Sequence, residues 1–556
     1  MSNLKELLYQ DIIDNIKLFG SWDKTKRRWA KILKRIPRNS EIFEAYNELL
    51  SEQKISRNLE IEKSLKIKQI RTQSGVAPFA VMMKPFPCPG NCIYCVQEQG
   101  MPKSYMSDEP AAARAKLLAF DPKIQIEARI DQMEKTGHHP EKLQIIVIGG
   151  TFGAYPTDYK KEFLKTIFDT CNEMSFEKEN PNGRDAINPV STNKFSCHSR
   201  SEFCKEKHQD RESIEIKNSQ DLNEQAKYKV IGMSIETRPD WINDEEIKLL
   251  REYGVTKVQM GIQAFDDEIL KKIKRGHDLK AVRIATAKLR NAGFKINYHF
   301  MPNLPGSNPQ KDITMAKMMF ADPDFRPDTI KIYPCIVLPQ TELFVLFQNG
   351  EYMPYDDQTL AQTLIEIKQQ VPYYCRIDRL IRDITSNWNV AGTKMSNMRQ
   401  LIQQKMQKQK IKCQCIRCRE VRENAKLNSD VKFKMQKYEA NQAEEQFLSF
   451  EDSKYLYAML RLRLPKENEM TKVFPVLKNA ALIRELQVFG KQIPLTEKTE
   501  DGTQHQSLGK KLVQKAEEIA KENDFAKIAI ISGVGVRDYY RKLGYKLEET
   551  YMVKYL

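Results

Sequence analysis

Residues 84–100 read KPFPCPGNCIYCVQEQG, and three cysteines, Cys88, Cys92 and Cys95, fall there at C-x3-C-x2-C spacing. Three thiolates so close in sequence can grip three irons of one 4Fe–4S cluster and leave the fourth iron open to a small molecule. Tyr94, just before the last cysteine, is placed to pack against such a cluster. Two plainer readings compete: a three-cysteine zinc knuckle, and chance clustering in a chain with 11 cysteines. The loop therefore asks for a fold that can present three sulfurs to one cavity.

The spacing itself is that of radical S-adenosylmethionine (SAM) enzymes. In these the open iron chelates SAM, and reduction breaks a carbon–sulfur bond to generate a deoxyadenosyl radical. The chain, at 556 residues, is long enough for about three or four domains. It has no apolar run of about 18 residues, so no transmembrane span is expected. The opening MSNLKELLYQDIIDNIKLFG is amphipathic and carries acids, unlike a secretory leader. A cytoplasmic location follows as the expectation, and there cysteines read as ligands rather than disulfides. The formal charge of +16, from 90 Lys+Arg against 74 Asp+Glu, suits a polyanionic partner, nucleic acid first. A solvated basic surface explains the same number.

Residues 1–69 read as a basic helical region suited to nucleic acid. Lys24, Lys26, Arg27, Arg28, Lys31, Lys34, Arg35 and Arg38 crowd one stretch, interleaved with Trp22 and Trp29. Basic side chains beside aromatics suit phosphate contact with base stacking; a helix pair whose aromatics are core is the alternative. From residue 70 apolar strands alternate with loops and helical stretches. QIIVIGGTFGAYP, VIGMSIETRPDW, TKVQMGIQAFD and FKINYHFMPNLPG all follow that pattern. This implies a parallel sheet in a partial or full β/α barrel, with active groups at the carboxyl ends of the strands. The informative loops are Gly149-Gly150-Thr151, Glu236-Thr237-Arg238 and Gln263. The polar stretch at about 175–218, with Cys197, His198, Cys204 and His208, reads as an insertion. Beyond Lys331-Ile332-Tyr333-Pro334 the chain reads as helical to about Asn397, closing a domain of residues 70–397.

A basic linker, 398–437, carries Cys413, Cys415 and Cys418 at C-x-C-x2-C spacing, a zinc signal whose fourth ligand the sequence does not name. Residues 438–556 form a different α+β domain. Two apparent antiparallel strands, SKYLYAMLRLRLP and NAALIRELQVFG, precede the amphipathic helix SLGKKLVQKAEEIAKEN, the strand FAKIAIISGV and the tail RDYYRKLGYKLEETYMVKYL. The start of that helix, at Gly509, presents free N–H groups to an anion. This order resembles the GNAT acetyltransferases, which hold the pyrophosphate of acetyl-CoA on that helix start.

From about residue 67 to the end, the chain resembles the catalytic subunit family of the Elongator complex and its stand-alone prokaryotic relatives. The segments RTQSGVAPFAVMMKPFPCPGNCIYC, DEPAAARAKLLAFDP, IIVIGGTF, SIETRPDW, YHFMPNLPG, FRPDTIKIYP, CQCIRCREV, IRELQVFGKQIPL and ISGVGVRDYYRKLGY carry the resemblance. It implies a transferase acting on the wobble uridine of tRNA, with a 4Fe–4S cluster, SAM and acetyl-CoA as cofactors and zinc as a candidate. Its partners would be tRNA and a homodimer or an Elongator-like assembly, with no membrane. The radical would take hydrogen from the acetyl methyl, and the carbon radical would add to uridine C5. Loss of the CoA thioester would leave a carboxymethyl group. C5 is not acidic enough for ordinary alkylation, so the cofactor carries the hard step.

The resemblance also assigns residues. Cys88, Cys92 and Cys95 would hold the cluster, and Gly149, Gly150 and Glu236 would line the SAM pocket. Lys142 would touch acetyl-CoA, where otherwise it reads as a solvated lysine at a strand edge. Glu485, Leu486, Gln487 and Val488 would pair with the pantetheine arm, and Leu508, Gly509 and Lys510 would cradle the pyrophosphate. Tyr540 would lie near the thioester, able to orient or protonate the departing sulfur; a core tyrosine is the plainer reading. Three positions depart from the family. Val96-Gln97-Glu98 replaces Pro-Gly-Gly after Cys95, bearing on the packing of the cluster loop. Gln504, Ser507 and Gly509 replace Q-x-x-G-x-G, and serine is costly there if φ must be positive. Gln487 stands where histidine is common. Two other functions fit parts of the chain: a lysine acetyltransferase with a structural cluster, and a tRNA-binding scaffold without catalysis.

Overall fold

The computed structural model describes residues 2–14, 22–58, 61–62, 65, 75–179, 215–382, 384–385, 387–395, 397–421, 430–490 and 507–556. Most of the 175–218 stretch, with Cys197, His198, Cys204 and His208, lies outside the described residues, as does Gln504.

The chain opens with helices Ser2–Asp14, Trp22–Leu33 and Asn39–Ser51. They share their own small core of Leu4, Leu8, Trp29, Ile42, Phe43, Tyr46 and Leu49. Trp29 is fully buried and donates its indole N–H to Asp11 at 2.5 Å. It is therefore a core residue and offers no stacking platform. Arg27, Lys31, Lys34 and Arg38 remain exposed.

Seven parallel strands follow in sequential order: β1 Ala77–Met82, β2 Lys142–Ile148, β3 Lys229–Thr237, β4 Lys257–Gln263, β5 Lys295–Phe300, β6 Thr329–Ile332 and β7 Arg376–Arg379. Helices between them cover one face, on which Phe79, Ile145, Val230, Val258, Tyr298 and Ile330 are buried. The sheet is the expected α/β half-barrel with one addition. β7 lies within the stretch expected to be helical up to Asn397. Three of its four residues, Arg376, Asp378 and Arg379, are charged, so it lacks the apolar run that marks its neighbours.

The second sheet is ordered β13-β14-β12-β11-β10-β9-β8. Its strands are β8 Lys432–Ala440, β9 Ala443–Glu451, β10 Leu456–Leu464, β11 Ala480–Val488, β12 Lys527–Ile530, β13 Lys546–Glu548 and β14 Tyr551–Tyr555. β8 starts inside the segment read as linker, because its exposed lysines disguise an edge strand. The amphipathic helix Leu508–Glu522 packs Leu512, Val513 and Ala516 onto this sheet. One buried apolar cluster spans both sheets. Among the described residues no helix is long and apolar enough to cross a membrane.

A candidate active-site cavity shared by two lobes

Side chains alternate across a strand, and in the half-barrel that alternation separates two chemistries. The outer face is apolar beneath the helices. The inner face carries Gln144, Ser234, Glu236, Gln259, Gln263, His299, Lys331 and Asp378, and these line a cavity of about 1800 Å³. Closed barrels fill this space with branched apolar side chains; here polar groups keep it open. β2, β3, β4 and β5 each begin with lysine, and Lys142, Lys229, Lys257 and Lys295 all face the cavity at the amino ends of the strands. Two of these lysines are matched by carboxylates, Lys257 with Asp378 at 2.7 Å and Lys295 with Glu485 at 2.9 Å.

The cysteine loop follows β1, at the carboxyl ends of the strands. A methyl group built on Gly90 would lie 3.7 Å from the sulfurs of both Cys88 and Cys92, so the two thiols flank one small cradle. Cys95 joins them through its N–H, which donates to the Cys92 carbonyl at 3.0 Å. Burial and then the neighbouring Cys92 push the Cys95 thiol up to about 12, so a cation is needed to hold it as thiolate. The three donors fit a 4Fe–4S cluster: they are soft and grouped, and their sulfurs do not all lie within 4.8 Å of one another as those gathered on a single ion do. Val96 closes the loop by packing with Met106 and Leu338, while Glu98 accepts from the Ser107 N–H at 2.7 Å. The Val-Gln-Glu departure is thus accommodated. Several buried polar atoms around the loop have no partner among the described residues: Tyr94 Oη, Thr237 Oγ1, Arg238 Nη1, Gln263 Oε1 and His299 Nε2. Such atoms suit a polar cofactor like SAM. Glu236 accepts from Tyr105 Oη at 2.7 Å and from Lys331 Nζ at 3.1 Å. Burial opposes its ionisation, but Lys331 and His299 hold the carboxyl down at about 2. Gly150 lines the cavity. Gly149 sits just outside it, its carbonyl accepting from Tyr155 Oη at 2.9 Å.

At the opposite end the cavity opens onto the second sheet. β11 pairs in parallel with β12 from Ala480↔Lys527 to Ile483↔Ile530, and the bond from Ile531 N–H to the Ile483 carbonyl, 3.2 Å, follows that pairing. Beyond that point β11 stays paired with β10, from Arg461↔Glu485 to Ala458↔Val488, and Glu485, Leu486, Gln487 and Val488 leave their other edge free against the cavity. That edge suits an extended amide-bearing chain, which can add to it as a strand does. The Glu485 side chain itself is engaged elsewhere, with Lys295 and with Arg461 at 2.8 Å. Gly509 and Lys510 line the cavity at the helix start, where the first N–H groups have no intrahelical acceptor. Leu508 does not face the cavity; it is buried in the core. Ser507 takes φ 57° and ψ 20°, the left-handed conformation in which serine is costly. Tyr540 and Tyr539 both face the cavity, and burial, then Tyr539, raises the Tyr540 hydroxyl above the usual tyrosine value. Lys142 is half-buried, and burial lowers its ammonium. The family resemblance assigns a role to Tyr540 alone, although the adjacent Tyr539 was an available signal. The lysine at the head of four successive strands was an available signal that motif reading passes over.

Cys413, Cys415 and Cys418 hold their sulfurs within 4.8 Å of one another. Sulfurs on one tetrahedral zinc sit roughly 3.8 Å apart, so this trio fits a single ion better than a cluster. No histidine, cysteine or carboxylate completes the set among the described residues.

A cysteine loop at the carboxyl ends of a parallel half-barrel, ringed by unpartnered polar atoms, defines the radical SAM class. Residues 87–319 match the Radical SAM superfamily, and 327–408 match the Radical_SAM C-terminal domain. The chain is 38% identical over 537 residues to the tRNA uridine(34) acetyltransferase of Methanocaldococcus jannaschii, covering 94% of this chain and 90% of that one. It is 34% identical to Elongator complex protein 3 of Homo sapiens, covering 88% and 86%. The solved structure of archaeal Methanocaldococcus infernus Elp3 with an N-terminal deletion superimposes with a TM-score of 0.69 at 35% identity, covering 87% of this chain and 100% of that one. The chain belongs to the tRNA uridine(34) acetyltransferase and Elongator complex protein 3 family.

Proposed function

We propose that this protein is an enzyme that modifies uridine 34 of tRNA, adding an acetyl-CoA-derived carboxymethyl group to C5 by radical SAM chemistry. The observation that carries this reading is the single cavity lined at one end by Cys88 and Cys95 and at the other by Gln487, Gly509 and Tyr540. Cys88, Cys92 and Cys95 would hold the cluster, which with SAM bound supplies the one-electron cleavage that starts hydrogen abstraction. Glu236, Gly150 and the unpartnered atoms beside them would orient SAM. Gly509 and Lys510 would take the CoA pyrophosphate, and the free edge of Glu485–Val488 would take the pantetheine amides. Lys142 would steady the arm where it enters the barrel. Tyr540 would orient or protonate the departing thiolate.

The domain division that goes with this reading is a basic helical region (1–69), a radical SAM domain (70–397), a zinc-bearing linker and a GNAT lobe. The exposed Arg27, Lys31, Lys34 and Arg38 would meet tRNA phosphates. Cys413, Cys415 and Cys418 would hold zinc. Metal analysis should find one zinc per chain, lost in Cys415→Ser; an unchanged zinc content would contradict that assignment.

A specific observation disfavours acetyl transfer to a lysine amine, which needs a free general base near the thioester. The described carboxylates lining the cavity are Glu109, Glu236, Asp378, Glu420, Glu485 and Asp538, and each is already ion-paired. Mass spectrometry of tRNA nucleosides from cells with and without the gene tests the function directly. The proposal expects the uridine 34 modification to vanish with the gene, and unchanged wobble uridines would remove it.

A further inference from the structure

Behind the cysteine loop lie two buried arginines whose charges are balanced differently. Arg238 is paired with Asp240 through two bonds of 2.9 and 2.8 Å, and its remaining Nη1 points at Gly90. Arg275, 7% exposed, has no carboxylate within ion-pair range among the described residues. It is clamped by the Gly261 carbonyl, which accepts from Nη2 at 2.6 Å and from Nε at 3.1 Å, and its Nη1 lies 3.3 Å from the Cys92 sulfur. A buried guanidinium without a counter-ion is costly. A ligated thiolate at Cys92 is the negative charge this one is built to meet.

We propose that Arg275 is a positioning residue that acts through Cys92 to raise the reduction potential of the cluster; this rests on the cluster assignment above. A hydrogen bond to a ligating sulfur withdraws electron density from the iron. A fixed positive charge in a low-dielectric pocket favours the more negative, reduced form. The clamp on Gly261 holds the guanidinium in register, so the effect depends on a fork that lysine cannot reproduce. The step tuned is the uptake of one electron from an external low-potential donor, in which no bond forms or breaks.

The test is a potentiometric titration of the anaerobically reconstituted full chain, with dithionite as reductant and electron paramagnetic resonance as readout, in the absence of SAM and tRNA. In Arg275→Met the ratio of reduced to oxidised cluster at a fixed poise should fall about tenfold, ~59 mV for one electron. Arg275→Lys should fall less. Iron analysis of each sample separates the outcomes. A wild-type chain without iron would sink the cluster assignment itself. A variant that loads iron and titrates with the wild type would overturn the role of Arg275. So would loss of iron from both variants with the fold intact by circular dichroism, since Arg275 would then only brace the loop.

Discussion

At residue scale the sharpest expectations concern backbone strain and one buried proton. Ser507 occupies a left-handed conformation that costs about 1 kcal/mol more for serine than for glycine. Ser507→Gly should therefore stabilise the fold by about 1 kcal/mol in denaturant titrations, and an unchanged or lower stability would show that the serine is not strained there. Cys92→Ser should lose most of its iron and its SAM cleavage; full retention of both would contradict the cluster assignment. Burial, with Lys331 beside it, lowers the His299 imidazole to about 3, below its ordinary value of about 6.5. The unfolded chain therefore takes up the proton first as the pH falls. The stability that His299 contributes is present above about pH 6.5 and is lost as pH drops from there toward 3, by up to ~1.4 kcal/mol per unit. Denaturant titrations of His299→Gln should show a flatter decline below pH 6.5 than the wild type, and identical slopes would refute this. Cysteine spacing made the cluster loop and the Cys413 trio legible, because ligand chemistry leaves local patterns. Arg275 was not legible, since it meets Cys92 only through the fold.

At the scale of elements, the seam between lobes depends on how closely two backbones approach. A methyl on Gly533, just after β12, would fall 2.0 Å from the Ile231 carbonyl oxygen in β3. Neither backbone can yield cheaply, so Gly533→Ala should cost at least ~2 kcal/mol, seen as a lowered melting temperature; an unchanged one would mean that the lobes are not in register here. Strands were readable where their outer faces are buried, as in β2 with Ile145 and Val147. They were hidden where charge dominates. β7 is short and turns its charged Arg376 and Asp378 into the cavity, and β8 exposes Lys432, Lys434 and Lys437 along a sheet edge. Alternation of polar and apolar positions carries little weight when the polar face lines a cavity instead of the molecular surface.

At the scale of the whole molecule, a buried ionic network joins the half-barrel to the second sheet. Arg484 of β11 donates to Asp328, just before β6, at 2.6 and 2.9 Å, and to Glu445 of β9 at 2.9 and 3.1 Å. Burial opposes ionisation of Asp328, but Arg484 and Arg461 hold its carboxyl well below the usual range. Asp328→Ala would take one carboxylate from two buried arginines, leaving Arg484 with Glu445 and Arg461 with Glu485, and should cost ~3 kcal/mol, lowering a single melting transition; two transitions with one unmoved would show that the lobes fold independently. On the proposed function, so tight a seam would have the thioester reach the barrel by extension of its own arm rather than by lobe movement. The shared cavity is the centre of this account. It is tested most directly by supplying the pure protein with SAM, reductant, tRNA and acetyl-CoA deuterated at the methyl group. The account predicts deuterium in the 5′-deoxyadenosine released as uridine 34 is modified, and modification with unlabelled deoxyadenosine would contradict it.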